Sequence, residues 1–278
     1  GLYLQENQSW EIALNYCWKD SDHQEIIGVP HSTTRFWDLR YANDHRIHNL
    51  QGPHVYPKPN AIAINGQAQK NYFKSIGYPD SEIELVEALR YFHLHSNSMN
   101  PSVTAGSREQ SSVLVLGDYL LENNYQLISM LDKVALLLPN TIRFIFKPHP
   151  ACPVHLSLFK GIPASVSEDS LENLLQQCTI AFSSNVTTAA LDAYFRGVPV
   201  ACMIDPCKLN LSPMLGIDNS VFVKTHQDLA IKILESLDGD IRLERDPDNF
   251  FELNTSLPRW LSLIEKKLHT KENLNTKC

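Results

Sequence analysis

The residues best able to do chemistry stand in a run of four, Lys147-Pro148-His149-Pro150, which closes the apolar stretch FIFKPHP. Each proline fixes its own φ and pushes the preceding residue away from the helical region. Lys147 and His149 are therefore extended, with side chains two residues apart on roughly one face. A cation and an imidazole presented together at a strand end suit an anion. Ser183-Ser184-Asn185 follows the apolar run TIAF and precedes VTTAALDAYFRG, whose spacing predicts a helix. Two hydroxyls, a carboxamide and the N–H groups of a helix start make an anion site, and Ser184 or Asn185 as a simple N-cap is the plainer use. Gly117 and Asp118 end a third strand, SVLVLGD, at the same sheet edge. A glycine there either lets backbone approach a ligand closely or makes a turn.

The first hundred residues carry a second set. Transfer to a hydroxyl needs a carboxylate or imidazole to take the proton. Glu6, just ahead of a helix, and His31, at the end of the strand EIIGVPH, are the two candidates for that base. The plainer use of Glu6 is to satisfy the helix dipole. Arg35 and Arg40, in HSTTRFWDLRY, can hold a substrate carboxylate through paired hydrogen bonds or form salt bridges with Asp38 or Asp44. Three DxD triplets (Asp20/Asp22, Asp238/Asp240, Asp246/Asp248) lie in polar stretches after helices, away from strand ends, so they read as solvated loops and no metal is expected. A helix dipole, His149 and hydroxyls can stabilise a leaving phosphate without one. Neither GxGxxG after a strand nor GxxxxGK[ST] occurs, which leaves no dinucleotide fingerprint and no P-loop.

The elements that must position these groups alternate. From Ser112 onward short apolar runs (SVLVLGD, IRFIFKP, TIAFSS, VPVACMI, SVFV) are separated by stretches with helical spacing, one of them closed by Gly197 as a C-cap. Such alternation predicts a parallel, doubly wound sheet. The first hundred residues form a shorter α/β unit, with helices over about 10–19 and 67–75 and strands EIIGVPH, NAIAIN and IELVEAL. HSNSMNPSVTAGSREQ is polar and aperiodic, a linker by composition. The expected division is 1–95, an N-terminal acceptor-side α/β domain; 96–111, a linker; 112–245, a Rossmann-like nucleotide-sugar domain; and 246–278, a C-terminal helix and tail. Because the chain opens on Gly1 shortly before a helix, the first domain is expected to be incomplete.

Bulk properties narrow the classes. A chain of 278 residues, 43% hydrophobic and 20% charged, is globular material, and its net charge of −7 argues against a nucleic-acid partner. No run is long enough for a membrane span and no signal-peptide pattern opens the chain, so it reads as cytoplasmic. The cluster Lys266, Lys267, His269, Lys271 and Lys277 is either a solvated tail or a peripheral contact with an anionic membrane surface. Six cysteines without a CxxC pair indicate neither a zinc ribbon nor a disulfide framework.

KPHP followed by SSNVTTAALDAYFRGVPV resembles the HP and Ser-rich motifs of bacterial GT-B glycosyltransferases that use CMP-activated acidic sugars, the sialyl- and Kdo-transferases. YLQENQSWEIALNYCW, IIGVPHSTTRFWDLRY and VEALRY are similar to bacterial surface-carbohydrate biosynthesis proteins. The resemblance implies a GT-B-like α/β fold, two Rossmann-like domains with parallel sheets facing a cleft. It also implies that His149 contacts the donor phosphate and that Ser183 and Ser184 hold that phosphate or the ribose. The family's acidic motif, two acids and a glycine, falls on Glu6-Asn7-Gln8, where one acid remains and no glycine follows. The function expected is metal-independent transfer of a sugar such as Kdo or sialic acid from a CMP-activated donor, with no resident cofactor, to a surface polysaccharide or lipid-linked glycan. Two alternatives stand beside it, a CDP-glycerol-type polyol phosphate transferase and a non-catalytic nucleotide-binding module.

Overall fold

The structure is a computed structural model that describes residues 1–44, 46–47, 50, 55–95, 111–159, 162–217, 221–238, 245 and 247–275. All but one residue of the expected linker, 96–111, lie outside that set. In chain order the elements are β1 (Leu2–Leu4), α1 (Ser9–Asp20), β2 (Ile27–Val29), β3 (Ala61–Ile64), α2 (Gln67–Ser75), β4 (Ile83–Leu85), β5 (Ser112–Leu116), α3 (Leu121–Val134), β6 (Arg143–Lys147), β7 (Ala164–Val166), α4 (Leu171–Gln177), β8 (Ile180–Ser183), α5 (Ala189–Phe195), β9 (Val200–Met203), β10 (Phe222–Val223), α6 (His226–Asp238) and α7 (Pro258–Asn275). They form two parallel sheets, β1-β2-β3-β4 and β10-β9-β8-β5-β6-β7. The chain divides into two compact units, Gly1–Thr34 with Asp38–Ser98 and Asp246–Cys278, and Arg35–Trp37 with Met99–Arg245.

In the first unit β3 is buried on both faces, as a central parallel strand must be. Its isoleucines, Ile62 and Ile64, pack with Tyr41, Phe73, Tyr78 and Ile83, whereas Ala61 and Ala63 join Ile27, Val86 and Leu263 of α7. Small alanines on that second face let α7 sit close. The C-terminal stretch FFELNTSLPRWLSLIEKKL therefore belongs with the first unit. Phe251 stacks on Tyr91 at 4.1 Å, and Glu252 donates its N–H to the Asn65 carbonyl (2.9 Å) and accepts from Ala88 (2.7 Å). Gly66 is required by this return, since a Cβ there would lie 2.1 Å from the Phe250 carbonyl oxygen. Glu87, 1% exposed, fastens the helix: its carboxylate accepts the N–H groups of Arg259 (2.8 Å) and Trp260 (3.0 Å), and its carbonyl accepts Trp260 Nε1 (2.9 Å). Two lysines of the C-terminal basic cluster, read from sequence as solvated tail or membrane contact, are engaged internally, Lys266 with Glu84 and Lys267 with Glu25.

In the second unit β5 is central and buried at every position. Helices α3 and α6 contribute Leu127, Ile128, Leu131, Leu229, Ala230 and Ile233 to one core with Val113, Val115, Phe144, Phe146, Ile180 and Phe182 of the sheet. Residues 35–37 count with this unit: Phe36 and Trp37 donate to the carbonyls of Ser212 (3.3 Å) and Asn210 (3.0 Å), and Phe36 meets Phe222 edge-on at 5.5 Å. Arg35, read as a substrate-binding residue of the first domain, therefore lies in the second unit. Two short strands, β1 and β7, escape the sequence reading. Among the described residues no helix is long and apolar enough to cross a membrane.

Candidate functional site

All strands of each sheet run the same way, so each sheet gathers its strand ends along one edge, where ligands of open α/β sheets bind. In the first unit β1 leads to Glu6, β2 to His31, β3 to Asn65 and β4 to Glu87 and Arg90.

Glu6 opens a tight turn in which Asn7 takes the left-handed conformation (φ 62°) that a glycine would favour. Buried Glu11, in the first turn of α1, accepts the N–H groups of both Glu6 (2.7 Å) and Gln8 (2.8 Å). Glu11, not Glu6, is thus the acid that serves the helix start, and the Glu6 carboxylate is left to face His31.

Oε1 of Glu6 stands 2.5 Å from His31 Nδ1, a buried atom, though without the alignment of a regular hydrogen bond. On the other side of the ring, Nε2 lies 2.7 Å from Nη1 of Arg90. The Arg90 contact fixes the tautomer of the neutral ring. Arginine only donates, so Nε2 must hold a lone pair. With Nε2 accepting, the proton of the neutral ring is on Nδ1, the nitrogen that faces Glu6. Beside this chain lies a cavity of about 230 Å³, lined by Leu4, Val29, His31, Asn65, Arg90 and Trp260 among others.

Arg40 is paired within its own unit. It donates through Nε and Nη2, both at 2.7 Å, to the two oxygens of Asp38, which is buried, and this pairing raises the guanidinium's pKa. The salt-bridge alternative is the one found.

In the second unit the KPHP run forms as expected. His149 sits two residues beyond β6 and is half-buried; its Nδ1 accepts the Ala151 N–H (3.1 Å) and its carbonyl accepts the Cys152 N–H (2.9 Å). With Nδ1 accepting, the neutral ring carries its proton on Nε2 and presents a donor. The Tyr119 ring flanks it at 6.1 Å, and Lys147 Nζ donates to the Glu168 carbonyl at 3.1 Å. Gly117 serves this run rather than a ligand. Its N–H donates to the Lys147 carbonyl (2.9 Å), and a Cβ would lie 2.9 Å from that oxygen and 3.0 Å from the His149 nitrogen.

The other expected anion ligands have different work. Asp118, fully buried, accepts from the Leu120 N–H (2.8 Å), Asn123 Nδ2 (2.9 Å) and the Ser184 hydroxyl, so Asp118 and Ser184 bind each other. Ser183 is buried beside Cys202, whose thiol burial pushes up to about 11 against the opposing hydroxyls of Ser212 and Ser183. Asn185 donates to the Leu209 carbonyl at 3.1 Å. Helix α5 starts only at Ala189, so none of the three residues caps it. A second cavity, about 580 Å³, opens between α3 and α6 and is lined by Tyr125, Lys133, Met203, Asp205, Lys224 and His226 among others; it contains none of the residues chosen from sequence.

The sequence reading thus finds Glu6, His31, Lys147 and His149 where chemistry is possible and misses Arg90 and Glu11. Arg90 is legible only as the arginine of VEALRY just past a strand.

The fold class these units define is the one expected, two parallel-sheet α/β units of GT-B type. No family profile matches the sequence and no curated protein matches it. Solved structures do. Anabaena Alr3699/HepE in complex with UDP and glucose aligns over 95% of this chain and 74% of its own, with 11% identity and a TM-score of 0.53. The GtfA/B complex aligns over 90% of this chain with 11% identity and a TM-score of 0.53, and this chain spans only 54% of that one. A putative UDP-N-acetylglucosamine 2-epimerase from Listeria monocytogenes aligns over 90% and 69%, with 10% identity and a TM-score of 0.51. At these identities the likeness is one of fold.

Proposed function

We propose that the protein is a nucleotide-sugar-dependent glycosyltransferase. The observation that carries this reading is the Glu6–His31 pair at the strand-end edge of the first unit, with the imidazole proton held on the carboxylate side. Such a pair is built to receive a proton: the acceptor O–H breaks, its proton goes to the His31 Nε2 lone pair, and the resulting imidazolium is stabilised by Glu6. The acceptor oxygen then bonds to the anomeric carbon while the carbon–oxygen bond to the donor phosphate breaks, and the electron pair leaves with the phosphate. In the second unit His149, donating from Nε2, and Lys147 are groups suited to a phosphate. Helix-start donation from Ser183, Ser184 and Asn185 is not part of the mechanism.

The donor nucleotide is the finer question. KPHP and the Ser-rich run favour a CMP-activated acidic sugar. The fold likeness to a protein crystallised with UDP and glucose favours UDP. A surface polysaccharide or lipid-linked glycan is the acceptor class that the motif resemblance supports.

Calorimetric titration of the purified chain with CMP, CDP, UDP and GDP, repeated on His149→Ala, tests the donor half. Binding of one pyrimidine nucleotide that the variant weakens supports the reading and names the donor to use in transfer assays. Nucleotide binding without transfer, under those assays, points to a binding module. Absence of all nucleotide binding overturns the proposal.

A further inference from the structure

We propose that Arg90 ties activation of His31 to an anionic acceptor: a phosphate or carboxylate near the nucleophilic hydroxyl draws Arg90 off Nε2 and so opens the base. The catalytic meaning of this inference rests on the glycosyltransferase reading; the contact itself does not.

The argument starts from a conflict in the site. His31 can take a proton only at Nε2, because Nδ1 already carries one against Glu6, yet Nε2 is occupied by Arg90 Nη1 at 2.7 Å. A ring so held is a base with its lone pair covered. Arg90 is exposed, in the 3-10 turn Leu89–Leu94, and among the described residues its guanidinium bonds a single ring nitrogen. That is a poor partner for a planar group with five N–H donors, which binds a carboxylate or phosphate through two parallel, charge-assisted bonds. Asp38 already holds Arg40 in that way, so the contrast exists within the same unit. An anion offered beside Arg90 therefore competes well for the guanidinium, and its departure uncovers the lone pair.

The turn that carries Arg90 is anchored independently of His31. Glu87 is fixed by the start of α7, the Ala88 N–H donates to the Glu252 carbonyl at 2.7 Å, and the Leu89 N–H donates to the Glu87 carbonyl at 3.1 Å. The backbone at position 90 is thus held while the side chain swings. The arrangement selects acceptors by charge: a neutral hydroxyl compound meets a covered base, and an acidic sugar or phosphorylated glycan removes the cover itself.

The test uses the full chain labelled with 15N-histidine and read by long-range 1H–15N correlation, with His31→Gln identifying the His31 signals and methyl phosphate as the probe. The expected result is a His31 ring in the Nδ1–H form whose Nε2 resonance moves downfield, towards that of an unbonded acceptor, as methyl phosphate is added at constant pH. In Arg90→Met the resonance should start at that position and not respond. An Nε2–H tautomer overturns the proposal. So does a His31 signal indifferent to methyl phosphate, or one that responds equally in Arg90→Met. Once a transfer assay exists, Arg90→Met should lower kcat/KM for an anionic acceptor roughly tenfold relative to a neutral one, the effect of a single charge-assisted bond. The spectroscopic result stands or falls without any transferase activity, which separates failure of this inference from failure of the function.

Discussion

Each unit ends a parallel strand with the same step. Val29-Pro30-His31 follows β2 in the first and Lys147-Pro148-His149 follows β6 in the second, with the histidine two residues beyond the strand in both. Proline sets the backbone alike in the two places. The proton, however, ends on opposite nitrogens. His31 is fixed by side chains from other strand ends, Arg90 lying 59 positions away, and becomes an acceptor at Nε2. His149 is fixed by the backbone two residues on and becomes a donor at Nε2. Local sequence places an imidazole, and what is brought to it decides its role.

The starts of α7 and α6 show a similar contrast. In the first unit α7 is capped by Glu87, 172 positions away from Arg259. In the second, α6 is capped from its own first turn, by Thr225 and Asp228. The first unit's site should therefore fail when remote contacts are removed, and the second unit's site only when its own backbone is disturbed.

The largest effect is expected from Glu87→Ala. It leaves two helix N–H groups without their buried charged partner, while the backbone carbonyl keeps the Trp260 indole, at a cost of about 3 kcal/mol in stability. Denaturant unfolding measures this, and 15N-histidine spectra of the folded protein should show His31 altered and His149 unchanged. A change at His149 alone would break the comparison. His149→Ala comes next: removing one donor to a phosphate should weaken nucleotide binding by roughly 10- to 100-fold in calorimetry while His31 keeps its tautomer. Gly117→Ala is smaller. A Cβ pressed against the Lys147 carbonyl and the His149 nitrogen must shift the KPHP backbone, at about 1–2 kcal/mol. It should lower nucleotide affinity without touching any side chain of the site, and unaltered affinity would show that the backbone does not set His149.

What the sequence made legible follows the same line. Helices α2 and α6 and the parallel order of strands could be read because their apolar spacing is local. Lys147 and His149 could be read because prolines act on their immediate neighbours. Glu6 and His31 were each visible as candidates, but their pairing was not, and Arg90, which settles the tautomer, carries no local mark beyond following a strand. The Ser-rich run misled for the complementary reason. Ser184 looks like a helix cap by position, and only the fold brings it Asp118, 66 residues earlier, to bind instead. For Arg40 the sequence offered Asp38 or Asp44 as salt-bridge partners beside a substrate carboxylate, and the fold pairs it with Asp38.

The smallest expected effect tests the local side of the comparison. Asp228 Oδ2 accepts the N–H groups of Thr225 (3.0 Å) and Lys224 (3.3 Å), and Thr225 Oγ1 accepts the Asp228 N–H (3.1 Å), a reciprocal box built within five residues. Bonds from Thr225 and then Lys224 hold the Asp228 carboxyl below its ordinary value. A depressed carboxylate binds its proton less readily when folded than when unfolded, so its contribution is present above the unfolded pKa, near 3.9, and is lost as pH falls through the folded value. Asp228→Asn should therefore lower stability slightly at pH 7, the deficit closing towards pH 3, as urea unfolding at a series of pH values would record. Because this carboxylate is open to solvent, the deficit should fall well short of that from Glu87→Ala, whose carboxylate is buried. Equal losses from the two would mean that distance along the chain does not distinguish how the units hold their strand-end sites.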